Sequence, residues 1–278
     1  MSSSAPSDHI PGAAAASAAN PADAAAAGNP AGNPNPFPGL RPFEPDEDYL
    51  FFGRELQIDE LLRRLRGNRF LACDCSSGSG KSSLVRAGLI PALYGGYMTR
   101  AGSSWRVAIL RPGNAPIGNL ARALDTPEVL GASGELADIN RLILETTLRS
   151  SAMGLVDCVR QAHLPTADNV LVMVDQFEEL FRFKQSCSAS RDEAVAFVKL
   201  LLAAVQQNTL PIYVILTMRS DFIGNCISFP GLPEAINGSQ YLVPRLRRDE
   251  LQAAIVGPVA VGGGRIAPRL VIRLLNEV

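Results

Sequence analysis

The stretch CDCSSGSGKSS, Cys73 to Ser83, combines glycine, serine and a lone lysine at a spacing that suits phosphate. In a loop of pattern GxxxxGK[ST], successive backbone N–H groups point at phosphate oxygens, the lysine bridges the terminal phosphates and the hydroxyl holds Mg²⁺. Ser77, Gly78, Ser79 and Gly80 are the expected N–H donors. Lys81 is the expected cation, Ser82 the expected Mg²⁺ ligand, and Ser83 completes the set. Lysine occurs only at positions 81, 184 and 199 of an arginine-rich chain, so its place after Gly80 is not a matter of composition. Cys75 stands where the pattern has its first glycine. If the backbone there needs positive φ, a side chain costs about 1 kcal/mol or more. Asp74 next door brings a negative charge toward the phosphates, and Cys75 is also a candidate oxidisable thiol.

A second constellation lies in VLVMVDQFEELF, where an apolar run ends in Asp175. A carboxylate at the tip of a strand beside the phosphate-loop strand can hold Mg²⁺ through water, and an acid beyond it can polarise an attacking water. Asp175 suits the first role; Glu178 or Glu179 suits the second, and nothing local chooses between them. The bland alternative is a solvated helix start whose acids favour the helix dipole. IYVILTMRSDF repeats the form and puts Arg219 and Asp221 at the same sheet edge, where ligands bind. Arg219 either senses a γ-phosphate or pairs with Asp221 or a neighbouring glutamate.

These residues need a scaffold of strands that end at one edge. RFLACD reads as a short buried strand before the loop, and SSLVRAGLIPAL as a helix after it, stopped by Pro91. Further strands are expected at Trp105 to Leu110, Val170 to Val174, Ile212 to Met218 and, most weakly, Gln240 to Val243. LQIDELLRRLRG places Leu56, Leu61, Leu62 and Leu65 at helical spacing and ends near Gly67. DEAVAFVKLLLAAVQQ is a helix with an expected capping box, Ser190 with Glu193. Strands alternating with helices predict an α/β, three-layer fold with a mostly parallel sheet.

With 278 residues, 47% of them hydrophobic, the chain can bury one large core. A net charge of −1 without a long basic run gives no support for capture of nucleic acid or an anionic membrane, and neither is expected as a partner. The 5 cysteines are odd in number, with no paired zinc spacing and only 2 histidines beside them, so they read as chain in a reducing cytoplasm. Residues 1–34 are an Ala, Pro, Asn, Ser and Gly tail that cannot offset its own ordering entropy, and order is expected to begin at NPFPGLRPF, Asn35 to Phe43.

From about Asn35 to Val278 the chain resembles the novel STAND NTPases, a bacterial family whose ATPase module commonly precedes WD or other repeats. The likeness rests on NPFPGLRPF, FFGRE, SGSGKSSLVRAGLIPAL, RPGNAPIGNLARAL, VDQFEELF, LTMRSDF, YLVPRL and AIVGP. It implies an ASCE/STAND-type P-loop domain over 35–247 and the start of a helical lid over 248–278. It implies ATP with Mg²⁺ as ligands, Glu178 as the water-activating acid, Gly53 and Arg54 against the adenine, and Pro258 closing the pocket from the lid. A signalling switch with slow ATP hydrolysis is the implied activity, with unspecified protein partners that include copies of itself.

The family pattern has glycine at the position of Cys75 and an apolar residue at that of Asp74, so these departures predict weakened binding or hydrolysis. APRLVIRLLNEV, Ala267 to Val278, resembles the first helix of the lid-side region, and the expected chain is a truncated one. The resemblance would add a winged-helix nucleotide sensor and repeats, which a truncated chain is expected to lack. The rival readings are a non-catalytic interaction module or fragment with a degenerate loop and, more weakly, a metabolic kinase.

Overall fold

The computed structural model describes residues 35–98, 101–131, 137–183 and 188–277; the low-complexity tail lies outside them. Five strands, β1 (Phe70–Cys75), β2 (Trp105–Leu110), β3 (Asn169–Val174), β4 (Ile212–Arg219) and β5 (Gln240–Leu242), form one sheet in the order β2-β3-β4-β1-β5. All four pairings are parallel. The expected α/β class and all five expected strands are therefore present. One expectation is corrected: the strand that leads to Asp175 does not lie beside the phosphate-loop strand. β4 pairs with both, Phe70 opposite Val214 and Val170 opposite Ile212. Strand order is set by crossover packing, which local periodicity does not encode.

Alternate strand residues enter two cores, as the period of a strand requires. Leu71, Cys73 and Ile215 join Leu61, Leu62 and Leu65 of α1 (Glu55–Gly67) on one face. Ala72, Val172, Val214 and Leu216 meet the other layer, built by α4 (Pro116–Leu124), α5 (Ala137–Ser150), α6 (Gly154–Gln161) and α8 (Ser188–Gln206). A sheet buried on both faces explains why these strands read as apolar runs rather than alternating ones.

The helix after the loop does not stop at Pro91. It runs through α2 (Lys81–Ser83), a π-helical stretch Leu84–Leu89, and α3 (Ile90–Tyr94). The Ile90 N–H donates to Val85 five residues back, so the register shifts and Pro91 falls in the first turn of α3, where its missing donor is not needed. The capping box is also corrected, since α8 begins at Ser188, ahead of Ser190. Glu193 instead accepts from the Ile117 N–H at 3.4 Å and pairs with Arg149 at 3.1 Å. Its carboxylate ties α8 to α4 and α5.

Between the β3 and β4 tips and the C-terminus lie α7 (Glu179–Phe183), a 3-10 stretch Ser220–Ser228 and α9 (Leu232–Gly238). The chain then forms α10 (Arg248–Val261) and α11 (Pro268–Glu277), packed on each other. Gly53 lets α10 approach closely: its φ is +80° and an added Cβ falls 2.2 Å from the Glu250 carbonyl oxygen. No described helix is long and apolar enough to cross a membrane.

Candidate functional site

The C-terminal edge of the sheet opens into a cavity of about 580 Å³. Ser77, Gly78, Gly80, Lys81, Ser82 and Ser83 form one wall, and Glu178, Glu179 and Arg219 line it from the tips of β3 and β4. Segments far apart in sequence meet there because parallel strands all release their C-termini at one edge. Gly80 has φ +82°, a left-handed conformation that turns the chain from the loop into α2 at little steric cost to glycine.

Cys75 needs no such freedom. It is the last residue of β1, and the only described non-glycine residues with positive φ are His163 and Gln176. Its side chain packs into the core beside α1, so the backbone cost expected at the first glycine position is not incurred. Burial alone pushes the Cys75 thiol up, but hydrogen bonding to Ser79 and Ser76 and the nearby Lys81 ammonium bring it below its ordinary value. Asp74, on the opposite face of β1, accepts from Gln240 Nε2 on β5 at 3.0 Å. Its other oxygen has no hydrogen-bond partner, and burial pushes its carboxyl above the usual range.

Lys81 curls over the loop, with Nζ donating to the Ser76 carbonyl at 2.8 Å and the Cys75 carbonyl at 3.2 Å. Ser82 Oγ donates to Asp175 Oδ1 at 2.6 Å, and Thr217 Oγ1 on the intervening β4 donates to the same oxygen at 2.6 Å. Asp175 is fully buried; Arg86 reaches its Oδ2 at 3.2 Å and also grips Glu44 at 2.8 Å. Two hydroxyls and a guanidinium thus compensate a carboxylate with no access to water. Ser82 and Asp175 together are a hard oxygen pair of the kind Mg²⁺ takes, so the residues fit that ion.

The structure distinguishes the two glutamates that sequence left equivalent. Glu179 Oε2 accepts from the Gly113 N–H at 3.0 Å, which ties α7 to the loop after β2. Glu178 is buried, lines the cavity, and has an Oε2 without a hydrogen-bond partner. A buried carboxylate oxygen left unpaired is poised for a water or substrate hydroxyl.

Gly53, Arg54 and Pro258 do not line this cavity. Gly53 packs under the Glu250 carbonyl, and Arg54 donates to the Ser79 carbonyl at 3.1 Å and the Pro244 carbonyl at 2.7 Å. Arg54 therefore buttresses the loop from behind. Pro258 is buried within α10. Ser83 has a structural duty, accepting from the Phe43 N–H at 3.1 Å and so fastening the NPFPGLRPF segment beside the loop.

Sequence reasoning missed Thr217, Arg111, Arg182 and the Gly39–Pro42 segment, all of which line the cavity. Thr217 could have been found as the polar residue that interrupts the apolar run of β4 just before Arg219. Arg111 directly follows β2, the position that singled out Asp175 after β3. Gln176, at φ +58°, is a strained turn between Asp175 and Glu178, held by its N–H on Thr217 Oγ1 at 3.2 Å.

The model of Novel STAND NTPase 1 matches residues 36–278. The chain belongs to that family. Among solved structures, the Walker-type ATPase PABY2304 of Pyrococcus abyssi is 16% identical, with a TM-score of 0.54 over 85% of this chain and 65% of that one. The Aeropyrum pernix ORC2 protein, solved as ADPNP-ADP complexes, gives 11% identity and a TM-score of 0.51 over 82% of this chain and 56% of that one. A chain of the E. coli MS115-1 HORMA:CdnC:Trip13 complex gives 14% and 0.51, covering 85% and 77%. At these identities the likeness is one of fold. No curated protein matches the chain. This STAND-family member is thus a P-loop NTPase in fold and family, with Ser82 of the phosphate loop bonded to Asp175 at the acidic strand tip.

Proposed function

We propose that this chain is a Mg²⁺-dependent ATP-binding switch that hydrolyses ATP slowly. The observation that carries the reading is the 2.6 Å bond from Ser82 to the buried Asp175, which joins loop and acidic strand tip across β4. In this reading 35–247 is the nucleotide-binding domain and 248–278 a helical lid. Loop N–H groups from Ser77 to Gly80 receive phosphate oxygens, and Lys81 exchanges its loop carbonyls for the terminal phosphates. Ser82 and Asp175 would hold Mg²⁺, which would supply charge neutralisation to the phosphates.

Glu178 orients the attacking water and accepts its proton as the bond from that water oxygen to phosphorus forms and the β–γ bridge breaks. Glu179 keeps α7 in place, so that Glu178 faces the cavity. Gly53, Arg54 and Pro258 serve the adenine end, through the position of α10. Regulatory rather than metabolic use, with protein partners or further copies of the chain as readers of nucleotide state, rests on family membership.

Phosphate release by the full chain tests the reading. Mg²⁺-ATP turnover is expected in wild type, with Glu178→Gln lowering it about 10²-fold or more while ATP binding persists. Turnover that survives Lys81→Ala, or none in wild type with ATP bound, sinks the hydrolytic part.

A further inference from the structure

The segment NPFPGLRPFE, Asn35 to Glu44, touches both members of the Ser82–Asp175 pair through their neighbours. Gly39, Leu40, Arg41 and Pro42 line the cavity, and the Phe43 N–H donates to Ser83, next to Ser82. Glu44 holds Arg86, which in turn reaches Asp175. We infer that Glu44 is a positioning residue for the divalent cation: by occupying Arg86, it leaves the Asp175 carboxylate negative enough to attract Mg²⁺. This rests on the nucleotide-site reading above.

Arg86 stands between two carboxylates. One terminal nitrogen donates to both Glu44 oxygens at 2.8 Å, and the other donates to Asp175 Oδ2 at the longer distance of 3.2 Å. Its Nε is buried without a hydrogen-bond partner, so among the described residues these two acids are its anchors. The Arg86 side chain is only 14% exposed, where solvent ions screen poorly. Arg111 Nε also lies 3.8 Å from Asp175 Oδ2, so a single carboxylate faces two guanidiniums. Glu44 offsets one of them. Without Glu44 the two cations outweigh Asp175, a field that opposes an arriving dication.

The carboxylate of Glu44 is presented from a braced turn. The Glu44 N–H donates to Glu47 Oε2 at 2.9 Å, and the Glu47 N–H donates back to the Glu44 carbonyl at 3.0 Å. Arg41 grips the same Glu47 carboxylate through two bonds of 2.6 Å, and the Phe43 ring meets Phe51 edge-on. The segment that walls the cavity thus also sets the charge at the tip of β3.

Calorimetry on the full chain tests this, with a non-hydrolysable ATP analogue added in EDTA and at a series of free Mg²⁺ concentrations. Glu44→Gln is expected to raise the Mg²⁺ needed for half-maximal strengthening about fivefold, with affinity in EDTA unchanged and Glu44→Asp recovering part of the shift. Asp46→Asn removes the same charge from an exposed neighbour that does not reach Arg86, and should move the requirement less than about twofold. In an Arg86→Met background the Glu44→Gln shift should disappear. A Mg²⁺ requirement that ignores Glu44→Gln, or moves equally in Asp46→Asn, overturns the inference, and so does a full shift in the Arg86→Met background. Glu44 is 42% exposed on its side chain, so the Glu44 and Asp46 variants decide the matter even if Arg86→Met does not fold. A wild type that binds no nucleotide at any Mg²⁺ concentration sinks the nucleotide-site reading and this inference with it, an outcome distinct from binding that ignores Glu44.

Discussion

The two ends of the molecule are held together in different ways. At the phosphate edge, a buried carboxylate gathers Ser82 and Arg86 from the helix after the loop and Thr217 from β4, each at hydrogen-bond distance. At the helical end, α10 meets the rest of the chain by close approach, with Gly53 under the Glu250 carbonyl and Gly257 under the Phe52 ring. Beyond it α11 buries Val271 but leaves Leu270 and Ile272 about half exposed. The phosphate edge is fixed by directional bonds that tolerate no loss of a partner, and the helical end by shape that tolerates no added atom. Substitutions should therefore fail for opposite reasons at the two ends.

The largest effect is expected at Asp175. Asp175→Ala leaves Arg86 buried without its second carboxylate and two hydroxyls without an acceptor, so urea denaturation should show a loss of about 3–5 kcal/mol. A loss below about 1 kcal/mol would mean that the carboxylate contributes no more than a surface ion pair. Gly53→Ala should lose about 2 kcal/mol through left-handed strain and overpacking, with faster proteolysis of α10 and α11 than of the sheet. Normal stability there would contradict the close approach.

Cys75→Gly sharpens the comparison at the loop. Because Cys75 sits in a strand and fills core space, the variant should lose about 1 kcal/mol and keep its ATP affinity. An affinity raised about tenfold would instead make Cys75 an obstacle to phosphate. The smallest effect is a pH dependence at Asp74. Its carboxyl ionises at higher pH folded than unfolded, because of burial, so ionisation subtracts stability as pH rises from the ordinary Asp value near 3.9 through the folded one. Asp74→Asn should be more stable than wild type at neutral pH, with the difference vanishing in acid; a difference that grows in acid would reverse the sign.

Much of the phosphate edge was legible because its chemistry is local. Loop spacing, a lone lysine and apolar runs that end in Asp175 and Arg219 each stand within a few residues, and the parallel-sheet rule brings them together. What was not legible depended on order across the sheet. Nothing in VLVMV or IYVILTM says which pairs with β1, so Thr217, the hydroxyl on the central strand that braces Asp175, went unnoticed. The conditional backbone cost at Cys75 does not arise, because the residue ends β1 without a positive φ, which no residue pattern alone could say. The helical end was the least legible, since Gly53 against Glu250 is a contact between residues 53 and 250 with no local motif. Pro91 illustrates the same limit within a single helix, where a π-helical register shift accommodated a residue that usually ends one.

Titration of Mg²⁺-ATP into the full-length chain by calorimetry, beside Lys81→Ala, tests the central claim most directly. Saturable binding in wild type, weakened at least about 100-fold by removal of the lysine with the melting temperature unchanged, is the predicted result. Equal heats from the two proteins, or no binding by a folded wild type, would contradict a working phosphate site.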